Sequence, residues 1–263
     1  IVDNGTTDGT SNLVRRIQKK YKKHKIRYLF QDNSGSPAGS RNTGIKNANR
    51  DWISFLDADD YWLPKKLEET KNRLFGITKD VVALSHWEYV EKLNTKSKVK
   101  RLGQNRVFNQ YQDLLFNGNC YSTSAMTVRR SSITSIGGFN CSPSYFGVED
   151  YMMWLSLARS GKIVTIKKPL SVFCLHDTNF SGNVKALYNN EKNLLKYEIN
   201  KRFSGDKYLL NKHLARIDYY IGRALQKKGD QSSVSILLNS IKAYPFALKK
   251  YVALRLALFG IKH

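Results

Sequence analysis

Three acids crowd the end of one short apolar run. In Ile53-Ser54-Phe55-Leu56-Asp57-Ala58-Asp59-Asp60-Tyr61-Trp62-Leu63-Pro64, a segment of strand length delivers three carboxylates within four positions, and Pro64 opens a helix. Hard cations such as Mg²⁺ and Mn²⁺ prefer oxygen ligands, usually one or two carboxylates completed by substrate phosphates. Open α/β sheets collect ligands at the C-terminal ends of their strands. The plainer reading makes Asp59 or Asp60 a helix cap, with Pro64 in the first turn. Three acids after one buried strand favour the metal site. A second acidic pair, Glu149-Asp150, opens another helical pattern. It could complement the helix dipole or accept a proton from a substrate hydroxyl.

The elements that must position these groups alternate. Ile1-Val2 reads as the end of a strand, and residues 4–10 as a turn with Thr7, Asp8 and Thr10 as capping candidates. A basic amphipathic helix is expected from about Ser11 to Lys23, then a strand at Ile26–Phe30, a loop over 35–40 and a short helix over 41–48. Trp52–Leu56 is the strand that carries the acids. A helix from Pro64 to about Phe75, a strand at Val81–Ser85 and a polar, hairpin-like stretch over 91–106 follow. Residues 114–128 hold a helix end and a strand, Gly137-Gly138-Phe139 a tight turn, and 149–160 a helix. Late strands are expected at Ile163–Ile166 and Leu170–Phe173. This alternation predicts an α/β fold with a mostly parallel sheet flanked by helices. From residue 184 the pattern is helical, with breaks near Ser204-Gly205, Gly229-Asp230 and Tyr244-Pro245. The expected domains are therefore a catalytic domain over 1–182 and a helical, basic region over 183–263.

Charge narrows the partners. Among 263 residues, 44 Lys and Arg stand against 21 Asp and Glu, a formal net charge of +23 that favours phosphates, nucleic acid or an anionic membrane. Cys120, Cys141 and Cys174 are odd in number and far apart, which argues against a zinc site and for a reducing, cytoplasmic setting. No stretch approaches the 18 or so consecutive apolar residues of a membrane-spanning helix. The chain opens in mid-strand without an initiator Met, so a fragment of a longer protein is expected.

Four segments now fall in order: Val2-Asp3-Asn4-Gly5-Thr6-Thr7-Asp8-Gly9-Thr10, Gly39-Ser40-Arg41-Asn42-Thr43-Gly44-Ile45, Phe55-Leu56-Asp57-Ala58-Asp59-Asp60, and Gly138-Phe139 with Glu149-Asp150. The series resembles family 2 glycosyltransferases of the GT-A fold, bacterial enzymes of surface polysaccharide synthesis, over about residues 1–180. The resemblance implies an inverting transfer from a nucleotide-diphosphate sugar, a UDP- or dTDP-sugar, to a hydroxyl of a saccharide or lipid-linked acceptor. It implies that Asp3 bonds the nucleobase and that Arg41 lies near the nucleotide. It implies further that Asp57 reaches ribose or metal, that Asp59 coordinates a divalent cation (Mn or Mg), that Asp150 is the general base, and that Glu149 assists in acceptor binding. His176, after the last strand, would touch phosphate or metal, or be incidental. Asn4 stands where the family usually has a second Asp, and Ser40 where it has Ala. A βαβ opening of about thirty residues would precede Ile1 in that family.

The chemistry asks for such groups whatever the family. A departing diphosphate needs charge stabilisation, and the attacking hydroxyl needs a carboxylate within hydrogen-bond reach. Trp62, Trp87, Tyr89, Tyr145 and Phe146 could line a sugar site or pack the core. A haloacid-dehalogenase-like phosphatase is the rival enzyme, but Tyr61 stands where its motif wants Thr or Val, and Asp3, Arg41 and the Glu149-Asp150 pair stay unexplained. A non-catalytic basic scaffold is the rival from another class; no nucleic-acid recognition motif is present, so no specific nucleic acid is expected. The apolar, basic segment 246–259 could lie on an anionic membrane or pack on the catalytic domain.

Overall fold

The computed structural model describes residues 1–92, 97–101, 110–176 and 184–261. They form two compact units, Ile1–Pro143 with Glu149–His176, and Ser144–Val148 with the chain beyond His176. The boundary expected at 182/183 falls among residues outside the described set, as does much of the expected hairpin over 91–106. Ser144–Val148, with Tyr145 and Phe146, belongs to the second unit, which the linear pattern did not suggest.

In the first unit β1 (Val2–Asn4) pairs in parallel with β2 (Leu29–Gln31), with α1 (Thr10–Lys20) between them in sequence. Next come α2 (Pro37–Asn47), β3 (Trp52–Ser54), β4 (Tyr61–Trp62), α3 (Lys66–Leu74), β5 (Val81–Lys92) and β6 (Ser97–Arg101). Then follow α4 (Gln110–Asn117), β7 (Thr127–Arg129), α5 (Arg130–Ser135), α6 (Glu149–Ser160) and β8 (Lys162–Leu175). The main sheet runs β3-β7-β5-β8-β4, with β6 on β5. The α/β class is as expected, and the pairing is mixed. β1–β2 and the long β5–β8 ladder are parallel; the other described pairs are antiparallel. The two late strands are one, because β8 continues through Pro169 opposite Trp87, at a register shift of the ladder.

Two local differences bear on the site. The strand that carries the acids lies at the sheet edge and is only half-buried; Phe55, just past it, supplies the burial. α2 begins at Pro37 rather than Arg41, because Ser36 caps it by accepting from the Ala38 N–H and Pro37 sits preformed in the first turn. Gly39 is then a helical residue, and a Cβ there would stand 2.2 Å from Ser34 Oγ.

The second unit holds α7 (Val184–Arg202), α8 (Lys207–Lys228), α9 (Ser232–Ala243) and α10 (Leu248–Leu258), broken at the three places the sequence marks. Asp206 caps α8, and Gly229 ends it in the left-handed conformation at φ 76°. Gly222 lets α9 approach, since a Cβ there would meet Leu237 at 2.5 Å.

The Gly137-Gly138-Phe139 turn joins the first unit's distant segments. Asn42 donates from Nδ2 to the Phe139 carbonyl and accepts from its N–H at Oδ1, each at 2.8 Å. Gly138 has φ 78°, and a Cβ there would lie 2.6 Å from Asn42 Oδ1, so only glycine fits. The Phe139 ring stands edge-on to Phe55 (5.5 Å) and to the fully buried Trp154 (5.9 Å). Phe139→Ala should therefore cost about 3–5 kcal/mol of stability. Denaturant titration followed by near-UV circular dichroism checks this; a loss within about 0.5 kcal/mol, as for an ordinary surface change, would remove Phe139 as the joint.

Candidate active site

Arg41, on α2, is the centre of the site. Its Nη2 donates to both Asp57 oxygens at 3.0 and 3.1 Å, and its Nη1 donates to Glu149 Oε1 at 2.9 Å. Its guanidinium also lies over the Phe139 ring at 5.4 Å. Burial works against the charge, but Asp57, Asp150 and Glu149 outweigh it and hold the Arg41 pKa above its ordinary value. One largely covered cation thus links Asp57 to Glu149 at the acidic start of α6, which lies 108 positions beyond Arg41.

Asp150, in the first turn of α6, accepts from Asn119 Nδ2 at 3.2 Å and from the Tyr151 N–H at 2.6 Å. Burial pushes its pKa up to about 7, the Glu149 charge pushes the same way, and Arg41 opposes both. α6 is tied to the end of α4 by the Tyr151 hydroxyl, which donates to the Leu114 carbonyl at 2.6 Å.

The three acids after β3 face different partners. Asp57 faces Arg41. Asp59 Oδ2 lies 3.1 Å from His176 Nε2, with both side chains partly exposed. Asp60 turns inward, accepting from Ser124 Oγ at 2.6 Å and from the Cys174 N–H at 2.9 Å. Neither Asp59 nor Asp60 caps a helix, because α3 starts only at Lys66. Ser124 was invisible to sequence reasoning and organises this loop. Fully buried, it accepts from the Asp57 N–H at Oγ (3.0 Å) and from Trp62 Nε1 at its carbonyl (3.0 Å). Trp62 therefore has a packing role, with Lys66 Nζ over its ring at 5.5 Å.

Asp3 is buried in its turn. Its oxygens accept from the Thr6 N–H (2.9 Å), Thr6 Oγ1 (2.8 Å) and the Tyr28 hydroxyl (2.5 Å). Tyr28 first, then Thr6, hold its pKa below the ordinary carboxylate value. Asn4 accepts at Oδ1 from Gln31 Nε2 and from the Ser34 N–H and Oγ, so its amide locks the following loop.

A divalent cation fits Asp59 and His176 in part. Among the described residues no group of three or more His, Cys, Asp and Glu could hold an ion. A carboxylate and an imidazole side by side suit a site whose remaining positions are filled by phosphate oxygens and water.

The α/β domain that joins a strand-end acid, an arginine and an acidic helix start in one network has the GT-A fold. A mannosyltransferase from Pyrobaculum calidifontis, solved in complex with GDP-Man and Mn²⁺, shares the fold with a TM-score of 0.52 at 15% identity, covering 99% of this chain and 74% of that one. The chain belongs to glycosyl transferase family 2, whose profile matches residues 1–137. It is 29% identical to an uncharacterized glycosyltransferase of Rickettsia conorii over 97% of its own length and 42% of the relative's. It is 28% identical to the Escherichia coli UDP-Glc:alpha-D-GlcNAc-diphosphoundecaprenol beta-1,3-glucosyltransferase, over 60% of this chain and 58% of that one. The chain thus spans less than half of the first relative's length.

The inward Asp60 gives a stability test. Burial raises its pKa to about 6, so the folded state holds this proton more tightly than the unfolded chain does. Its contribution is then most favourable below pH 4 and declines as pH rises from about 4 to 6. Asp60→Asn keeps the shape without the charge. Stability of the variant relative to the parent should rise over that pH window and level off above it, as measured by denaturant titration at several pH values; a flat difference would contradict the buried, charge-bearing Asp60.

Proposed function

We propose that this chain is an inverting, metal-dependent glycosyltransferase. It moves a sugar from a UDP- or dTDP-sugar to a hydroxyl of a saccharide or lipid-linked acceptor in bacterial surface polysaccharide synthesis. The observation that carries this reading is Arg41 held between Asp57 and Glu149, with Asp150 beside it on the first turn of α6. The name of the Escherichia coli relative, with its UDP-Glc donor and diphosphoundecaprenol-linked acceptor, supports the donor and acceptor classes.

In this reading Asp150 takes the proton of the attacking hydroxyl. Asn119 and the Tyr151 N–H fix the carboxylate's orientation. Glu149 holds Arg41 in place, and Arg41 with Asp57 forms the nucleotide side of the site. Asp59 and His176 would hold the divalent cation, a duty that Asp57, turned to Arg41, does not share. Bound there, the cation supplies charge stabilisation to the diphosphate leaving group. Asp3 acts by shaping the β1 turn against which the nucleobase rests. Base and leaving group on opposite faces of the sugar give inversion in one displacement. The setting is the cytoplasmic side of the cell membrane, where a lipid-linked acceptor is presented.

Calorimetric titration of UDP and dTDP, with and without Mn²⁺, tests the donor site. Metal-dependent binding that is lost in Asp59→Ala is expected, and binding indifferent to metal and to the variant would overturn the cation assignment. The base has its own signature. Its charged form grows as pH rises through about 7, so kcat/KM should climb about tenfold per pH unit below 7 and level off above. Asp150→Asn should lower kcat by about 10²–10⁴-fold with donor binding retained. Near-normal turnover in that variant would remove Asp150 as the base.

A further inference from the structure

We infer that the outward face of α10 is a docking surface for an anionic phospholipid bilayer. Leu248, Tyr251, Val252, Arg255, Leu258 and Phe259 are all exposed, and they recur at i, i+3, i+4, i+7, i+10 and i+11, one continuous stripe of the helix. Leu248 is 80%, Phe259 70% and Leu258 63% exposed, and Phe246, just before the helix, is 79% exposed.

A surface helix of a soluble domain normally turns its apolar stripe to the core. On α10 apolar side chains lie on both sides: Ala253 is buried and Leu254, Leu256 and Ala257 are half-buried inward, while the stripe above faces out. The inward residues include Lys250, which is 2% exposed and donates from Nζ to the Ser240 and Tyr244 carbonyls at 2.9 and 2.8 Å. These bonds fix the helix's rotation and commit the apolar stripe to the outside. Lys249, also exposed, lies over the Tyr219 ring at 4.9 Å.

Charge selects the occupant. From Gln231 to His263 the chain carries no Asp or Glu, and Lys242, Lys249 and Arg255 are exposed, Arg255 within the stripe. A second copy would bring the same +23 charge, with Arg255 within its stripe, and would be repelled. An anionic bilayer offers apolar depth and opposite charge together. The helix of 11 residues is about 16 Å long, too short to span a bilayer and suited to lying in its interface. No helix among the described residues is long and apolar enough to cross a membrane. This inference does not depend on the transfer reaction.

Flotation with phosphatidylcholine vesicles, with and without phosphatidylglycerol, tests it on the chain and on a Leu248→Ser, Leu258→Ser, Phe259→Ser triple variant. Circular dichroism confirms that the variant is folded. The parent should float with the anionic vesicles and only weakly with neutral ones. The triple variant should partition at least about tenfold less, and Arg255→Glu should weaken binding further at low salt than at high salt. Three outcomes would overturn the proposal: no flotation of the parent, equal flotation of the triple variant (adsorption by net charge alone), or a concentration-dependent dimer in sedimentation that the triple substitution abolishes.

Discussion

A single buried charge organises the first unit. Arg41 cannot stay buried without anions, and its anions come from segments that are remote in sequence, Asp57 after β3 and Glu149 at the start of α6. Removing either partner would leave the largely covered guanidinium less fully compensated, which is costly. Each segment therefore holds the others in place. The same requirement concentrates negative charge beside Asp150, and together with burial this keeps its proton affinity close to neutrality. The arrangement that stabilises the fold is thus also the arrangement that raises the Asp150 pKa.

Packing makes this electrostatic arrangement rigid. Asn42 adjoins Arg41 and spends both ends of its amide on Phe139. The Phe139 ring then bridges Phe55, two positions before Asp57, and Trp154, four positions after Asp150. Ser124 plays the matching part below the acids. One hydroxyl receives the Asp57 N–H and gives its own proton to Asp60, so adjoining carboxylates point in different directions. Asp59 is left toward His176. A loop with three like charges would otherwise repel itself, and this division of partners gives each charge its own environment.

The second unit follows another logic. Its helices are separated by the capping Asp206, the left-handed Gly229 and Pro245. Lys250 shows how one buried polar head can fix the rotation of a helix that is apolar on both sides. Its ammonium donates to two backbone carbonyls at the end of α9, which sets which residues of α10 face outward.

The sequence by itself determined what is local. α6 spans the residues its pattern predicts, the helical breaks lie at Gly205, Gly229 and Pro245, and the order of the four motifs names the family. The Ser36-Pro37 start of α2 is equally local, a capping serine followed by a first-turn proline. These features depend on caps, φ restrictions and 3.6-residue periodicity, all set by near neighbours. Only the tertiary structure decided that Asp60 faces inward, that Asp57 belongs to Arg41, that the acid-bearing strand is an edge strand and that α10 shows its apolar side. Those outcomes rest on Ser124, Glu149, β7 and Ser240, partners that lie from 10 to 108 positions away. A one-dimensional pattern carries no record of which distant donor meets which acceptor, because that pairing is fixed only when burial makes an unmet charge or hydrogen bond costly.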